Sequence, residues 1–340
     1  MCTKTRRMGL ELRPHFKTHQ SRIIGSWFRD TGINKITVSS LQMAAYFADD
    51  GWEDITVAFP VNHREINLIN DLAARINLGI LCVDPLNLEF LNKKLHNPAN
   101  FWIEIDIDSQ RSGLSPENLI TIQSMIKMAD PGLLRFRGFL SHAGKTYSAS
   151  TVDEVVAIHR REVKELNNLA SNFRRFSTHL EISVGDTPGC VMADEFPGIT
   201  EIRPGNFVFF DLMQAEKGIC RYNQIAIALA CPVVAVYPPR GELVVYGGAI
   251  HLSKDFLINE HNVFFYGKPV NLTESGWSEP YPESAVVRLA QEHGVIQLKP
   301  EFLKKYRIGD IIGILPVHTC LTAQAMGSYQ TLTGEKIDHM

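Results

Sequence analysis

A lysine in a crowded polar neighbourhood is the first candidate for chemistry in this chain. The run Arg13-Pro14-His15-Phe16-Lys17-Thr18-His19 packs an arginine, two histidines and a lysine into one short segment. Lysine forms imines with carbonyl groups once partial desolvation lowers its pKa. A lysine at the end of a strand is more often a surface residue, and the crowding moves the balance toward a site without deciding it. Near the other end lies Pro316-Val317-His318-Thr319-Cys320. On a strand, positions i and i+2 face the same side, so the His318 imidazole and the Cys320 thiol can grip one ion. A mixed nitrogen and sulfur pair suits zinc, and two protein ligands leave positions open for water and substrate, as a catalytic metal needs. The plain alternative is a buried cysteine beside an unrelated histidine.

Two glycine-containing runs, Val184-Gly185-Asp186-Thr187-Pro188-Gly189 and Glu201-Ile202-Arg203-Pro204-Gly205-Asn206-Phe207, offer backbone N–H groups that can approach a phosphate closely. Either one alone reads as an ordinary turn. The run Asp106–Gly113 places Arg111 at a strand end, where pairing with a structural carboxylate is an equally good account. The run Ser141–Tyr147 does the same for His142 and Tyr147, which in isolation are more often satisfied core residues.

These residues need a scaffold. Strand-like runs fall at Leu12–Lys17, Lys35–Ser39, Asp54–Phe59, Ile80–Val83, Phe101–Asp108, Phe136–His142, His179–Val184 and Glu201–Phe210. Amphipathic stretches separate them; Val152, Val155, Val156, His159, Val163, Leu166 and Leu169 follow helical spacing. Strands alternating with helices imply parallel βαβ units, and this number of strands closes a (β/α)8 barrel; an open doubly wound sheet is the structural alternative. In barrels of this kind the active site lies at the carboxyl ends of the strands, and phosphate sites follow the last two. After Asp211 the texture becomes β-rich, with strand-like runs at Gln224–Tyr237, Glu242–Tyr246, Asn262–Tyr266 and Gly309–Leu315 and turns such as Pro238-Pro239-Arg240-Gly241. The expected division is a barrel domain over 1–215 and a mostly β domain over 216–340.

Composition narrows the function classes. With 45% hydrophobic and 21% charged residues, the 340-residue chain can bury a real core, and its net charge of −3 gives no reason to expect nucleic acid or an anionic membrane as partner. The basic cluster Lys4–Arg7 reads as a solvated helix face. The six cysteines are scattered without a CxxC pair, which fits a reducing compartment. The longest apolar run, Ile225–Val236, is too short to span a bilayer and contains Pro232. No secretory leader is expected either, so the location expected is cytoplasmic.

The motifs, in this order, resemble the D-serine dehydratase and D-threonine aldolase family of pyridoxal-phosphate enzymes, which has the alanine-racemase-like fold. The resemblance covers nearly the whole chain. It implies that Lys17 carries pyridoxal 5'-phosphate as a Schiff base and removes the Cα proton, and that His15 belongs to the same cofactor pocket. It implies that Arg111 lies near the cofactor's phenolate oxygen, that His142 and Tyr147 line the pocket, and that Gly185, Asp186, Thr187, Gly205, Asn206 and Phe207 surround the phosphate. Phe207 stands where family members often have tyrosine, which removes one hydroxyl. His318 and Cys320 match the family's metal-binding His-x-Cys, with zinc as the expected ion, and Gln291-Glu292-His293-Gly294 resembles the segment placed shortly before it. The stretch Tyr246–Asp255 departs from the better-known branches and suggests a distinct subgroup.

The expected activity is that of a lyase on D-3-hydroxy amino acids, D-serine ammonia-lyase-like, giving a 2-oxo acid and ammonia. The alternatives are retro-aldol cleavage to glycine and an aldehyde, as in D-threonine aldolase, and amino-acid racemisation, which has no use for a metal. A non-enzymatic pyridoxal-phosphate carrier is a further class, but such carriers lack the β domain. The family also implies a homodimer in which the barrel of one subunit faces the β domain of the other. Relatives usually place a strand and a helix ahead of the lysine motif, whereas this chain opens within the helix. A truncated start and an unpaired strand position in the β domain are therefore expected.

Overall fold

Runs rich in Val, Ile, Leu and Phe form the walls of an eight-stranded, wholly parallel sheet in the order β1-β8-β7-β6-β5-β4-β3-β2. The strands are β1 Glu11–Leu12, β2 Lys35–Val38, β3 Asp54–Pro60, β4 Asn77–Cys82, β5 Ala99–Glu104, β6 Leu134–Ser141, β7 Glu181–Val184 and β8 Glu201–Ile202. Strands covered on both faces need continuous apolar sequence, and every residue of β5 is buried. A bridge between His15 and Thr37, with the Thr37 N–H donating to Pro14 O at 2.9 Å, closes the sheet into a barrel. The computed structural model describes residues 1–176 and 179–340. It separates into one unit of Met1–Phe207 with Met340 and a second of Val208–His339.

Helices on the barrel's outside begin at side-chain caps. Ser21 Oγ accepts the Ile24 N–H at 3.1 Å, Ser40 Oγ that of Met43 at 3.1 Å, and Thr151 Oγ1 that of Glu154 at 3.2 Å. The helix Val152–Phe173 buries Val155, His159, Val163, Leu166 and Leu169 on one face, the face its spacing predicts.

Three barrel strands end several residues earlier than their sequence suggests. β1 stops at Leu12, and Lys17 lies in a 3-10 turn, Phe16–Thr18, rather than on a strand. Pro14 has no N–H to continue a ladder, and His15 caps the turn by accepting the Lys17 N–H on Nδ1 at 3.4 Å. β8 stops at Ile202 before Pro204. β5 stops at Glu104 and the chain soon turns back, with Asp106 Oδ1 accepting the Ser109 N–H at 2.7 Å and its hydroxyl at 2.9 Å.

The second unit is built on a six-stranded sheet in the order Gly267–Val270, Ile311–Pro316, Leu229–Tyr237, Glu242–Tyr246, His293–Gln297, Ala285–Leu289, with antiparallel pairing throughout. Leu243, Val245, Val286, Ile296, Ile312 and Ile314 form its core. Its two end strands approach each other, and the Tyr266 N–H donates to Val286 O at 2.9 Å. Of the Asn262–Tyr266 run only Phe264–Phe265 is strand, in a small hairpin with Leu257–Ile258. The hairpin Ala285–Leu289 and His293–Gln297 has no counterpart in the sequence reading, although alternation in Ala-Val-Val-Arg-Leu carries a strand signal. Among the described residues no helix is long and apolar enough to cross a membrane. Cys82, Cys190, Cys220 and Cys231 are buried.

Candidate active site

The lysine turn is anchored by its neighbours. Phe16 is fully buried, its ring packed against Phe28, Phe47 and Trp52 at centroid distances of 5.3, 5.0 and 5.1 Å. Phe16 fixes the backbone while the adjacent Lys17 side chain stands exposed. Arg13, from the same run, turns inward: its guanidinium pairs with Glu201 at 2.7 Å and with Asp54. His19 accepts the Ser21 N–H on Nδ1 at 3.1 Å. Both are structural members of the motif.

Two imidazoles share the positive surroundings of Lys17. Burial, and after it the charges of Lys17, Arg203, His142 and Arg111, push His15 well below the usual histidine range. Burial, with Lys17 and Arg111 next, pushes His142 down to about 3. Both rings are therefore neutral near pH 7, and their partners set the tautomers. His15 Nδ1 accepts a hydrogen bond, so its proton sits on Nε2. His142 Nδ1 faces the Gly185 carbonyl, which only accepts, so its Nε2 carries the lone pair.

The loops after β7 and β8 converge with this turn. Asp186 Oδ1 caps the helix Thr187–Met192, accepting the Gly189 N–H at 2.5 Å and the Thr146 hydroxyl at 2.9 Å. The Tyr147 phenol oxygen accepts the Thr187 N–H at 3.1 Å. Thr187 Oγ1 is buried and has no hydrogen-bond partner among the described residues. A side chain at Gly205 would come within 2.8 Å of the His15 carbonyl oxygen, and one at Gly185 within 3.1 Å of the Arg203 guanidinium. At Gly205 only glycine allows that closeness, and at Gly185 a side chain would require the Arg203 side chain to give way by a few tenths of an ångström. Asn206 is buried in the following turn, and the Phe207 ring meets Phe28 edge-on at 6.0 Å. An orphaned hydroxyl, a helix start and nearby cations together fit a phosphate group.

Arg111 lies on an exposed loop, with Nη2 4.0 Å from Glu104 Oε1, so the carboxylate pairing is the one observed. Arg203, within the Glu201–Phe207 run, is the buried cation beneath the site. Its Nε donates to Ser183 Oγ at 2.8 Å and its Nη2 to Ser141 O at 2.5 Å. Ser183 in turn donates to Glu201 at 2.7 Å, linking Arg203 to Arg13 through the barrel interior.

In the second unit, His318 and Cys320 do not lie on a strand. The strand ends at Pro316, and a helix, Thr319–Met326, starts immediately after His318. The helix start, and not strand alternation, brings the two side chains together. Cys320 hydrogen-bonds the imidazole, and His318 Nδ1 lies 2.8 Å from Asp255 Oδ2. Burial acts to lower His318, but Cys320, Asp255 and Asp211 outweigh it and carry it up to about 9. No group of three or more His, Cys, Asp or Glu side chains placed to hold a metal ion is found among the described residues. The His318 and Cys320 pair, with a carboxylate behind the imidazole, fits a divalent ion such as zinc. Asp255 ends the Tyr246–Asp255 stretch, and no spacing in the sequence ties it to His318. His293, from the Glu-His-Gly segment, is exposed at the start of a hairpin strand.

The chain belongs to the alanine racemase N-terminal domain family, whose model matches residues 6–212, and a serine dehydratase domain model matches residues 226–332. It is 28% identical to D-threo-3-hydroxyaspartate dehydratase of Delftia sp. (strain HT23), over 96% of this chain and 88% of that protein. It is 27% identical to the D-serine dehydratase of Dictyostelium discoideum, over 96% of this chain and 88% of that one. The solved Delftia enzyme superposes with a TM-score of 0.89 at 26% identity, covering 99% of this chain and 92% of that chain. A metal-free form of the same enzyme, carrying a cysteine-to-alanine substitution, superposes equally well, with a TM-score of 0.89.

Proposed function

We propose that this chain is a pyridoxal-phosphate-dependent lyase that dehydrates D-3-hydroxy amino acids, D-serine-like in substrate, to a 2-oxo acid and ammonia. The observation that carries the reading is the meeting of His318 and Cys320 at one helix start, in a chain whose barrel holds Lys17 beside two neutral imidazoles. The dehydratase relatives, matched over almost the whole chain, support it. So does the existence of a metal-free cysteine variant of the Delftia enzyme.

The roles follow from the chemistry of each group. Lys17 Nζ would hold the cofactor and take the proton from the substrate Cα. Thr187 Oγ1 and the backbone around Gly185, Gly205 and Asn206 would hold the phosphate, and Tyr147 and Asp186 keep that turn in place. His15 donates from Nε2 and His142 accepts on Nε2, so they orient polar groups without adding charge. Arg111 and Arg203 supply positive potential for an anionic cofactor and a substrate carboxylate. His318 and Cys320 would hold zinc. When bound, pyridoxal phosphate supplies an electron sink and the metal polarises the substrate β-hydroxyl.

The barrel part, over 1–215, is thus the proposed cofactor domain, and residues 216–340 carry the proposed metal pair. A cytoplasmic homodimer completes the reading. Incubation with D-serine, D-threonine and D-threo-3-hydroxyaspartate, scored for 2-oxo acid and for glycine, tests it. Release of a 2-oxo acid with ammonia is expected. Glycine as the main product from D-threonine would replace dehydration by retro-aldol cleavage.

A further inference from the structure

Asp255 is the residue whose placement neither the lysine nor the His-x-Cys motif explains. Its Oδ2 lies 2.8 Å from Nδ1 of His318, across 63 residues of sequence. The loop that delivers it is built. Ahead of it, the short helix Ala249–Leu252 is moored to a neighbouring hairpin, with the Ala249 N–H donating to Ala290 O at 2.9 Å and the Ile250 N–H to Gln291 O at 3.1 Å. The next residue, Ser253, has φ +67°, a left-handed backbone that a non-glycine residue adopts at a cost. Ser253 Oγ then accepts the Asp255 N–H at 3.1 Å, which fixes the carboxylate's starting point.

Stability does not account for this arrangement. The side chains of His318 and Asp255 remain 31% and 38% exposed, so solvent screens their attraction and the pair contributes little to the fold. The left-handed turn works against stability. On its other side His318 is held through the main chain, because Asp211 Oδ2 accepts the N–H of the next residue, Thr319, at 3.3 Å. The ring and the backbone of one histidine are each positioned by a separate carboxylate.

We propose that Asp255 is a positioning residue for a metal ion at His318. It accepts the Nδ1 proton, fixes the tautomer and leaves the Nε2 lone pair as the ligating atom. Carboxylates in this relation orient a ligand histidine and raise its basicity, and their loss lowers metal affinity about 10- to 100-fold. The inference rests on the metal reading proposed above and adds Asp255 to it.

Zinc binding to the full-length protein, measured by competition with a chromophoric chelator at fixed pH, tests it. Circular dichroism serves as the control for folding. The parent protein is expected to bind one zinc tightly and His318→Ala to lose it. Asp255→Ala should bind about 10- to 100-fold more weakly with an unchanged fold. Asp255→Asn should recover part of the loss, because its carbonyl still accepts from Nδ1, whereas a purely electrostatic role would give no recovery. With cobalt in place of zinc, the visible ligand-field bands should shift in Asp255→Ala. Equal zinc affinity in the parent and in Asp255→Ala overturns the positioning role while leaving the metal site standing. Failure of the parent protein itself to bind zinc overturns the metal reading and the inference together.

Discussion

The phenol of Tyr147 and the backbone of Thr187 are joined by a 3.1 Å hydrogen bond at the point where the Thr187 hydroxyl is left without a partner among the described residues. The turn after the sixth strand thereby holds the helix start after the seventh. Removing the phenol hydroxyl in Tyr147→Phe leaves a backbone N–H unpaired at that start, a loss of about 1–2 kcal/mol. Titrating the apoprotein with pyridoxal phosphate should show roughly tenfold weaker binding for this variant, and weaker binding again for Thr187→Val. Unchanged affinity in both would remove this turn from the phosphate site.

Lys17 sits beside a fully buried anchor, Phe16, so its side chain can be removed without loosening the turn. Lys17→Ala should fold normally while losing both turnover and the visible absorption of a lysine-linked cofactor. A yellow, active Lys17→Ala protein would end the pyridoxal-phosphate reading.

Metal removal should separate the two halves of the proposed chemistry. Chelator-treated protein should stop producing 2-oxo acid from D-serine yet keep its cofactor absorption, since Lys17 needs no metal. Zinc should restore activity better than magnesium or manganese, because a thiolate ligand favours the softer ion. Cys320→Asp should move the preference toward manganese. Full-rate 2-oxo acid formation by metal-free protein would rule out a part for the metal in the elimination.

Glu162, on the helix Val152–Phe173, and Asp186, capping the helix Thr187–Met192, are buried carboxyl groups, 1% and 2% exposed. Burial first, and the neighbouring Asp186 second, hold Glu162 above the ordinary carboxyl range. A carboxyl that binds its proton more tightly when folded stabilises the protein fully below its unfolded pKa. That contribution is lost as pH rises through the raised value. Denaturation midpoints of the parent should therefore fall with rising pH relative to those of Glu162→Gln, which keeps a neutral side chain at every pH. Parallel curves for the two proteins would show that Glu162 does not hold the proton.

Arg13 should behave as a buried ion-pair partner and not as a catalytic group. Arg13→Ala leaves Glu201, itself buried, without its 2.7 Å partner, and the expected loss is about 3–5 kcal/mol of stability. Refolded variant that retains cofactor absorption but unfolds at markedly lower denaturant is the outcome to look for. An undiminished midpoint would contradict the account.

The barrel was legible because its signals are local. The β-branched run at Lys35–Val38 and the helical spacing through Val152–Phe173 each specify an element without help from distant residues. The turn bearing Lys17 was not, since it depends on His15 capping a backbone that Pro14 has released from the sheet. Strand alternation predicts one face for His318 and Cys320, whereas a helix start pairs them, because the strand ends at Pro316. Asp255 was invisible because a carboxylate 63 residues from its partner leaves no spacing to read.

The closure of the barrel at β1 has a further consequence. β1 is a two-residue strand on β8 and, among the described residues, meets β2 through one bridge, His15 to Thr37, whereas β2 pairs with β3 at four positions. Local opening costs least where the fewest bonds cross, which makes the strand leading to Lys17 the seam along which the barrel unzips. Any molecule that links Lys17 to the loops at Thr187 and Gly205 stitches that seam shut from above, as Arg13 does from within. Cofactor retention and barrel integrity are then one equilibrium: saturating ligand should slow amide exchange at Glu11–Lys17 before it is felt at β4 or β5.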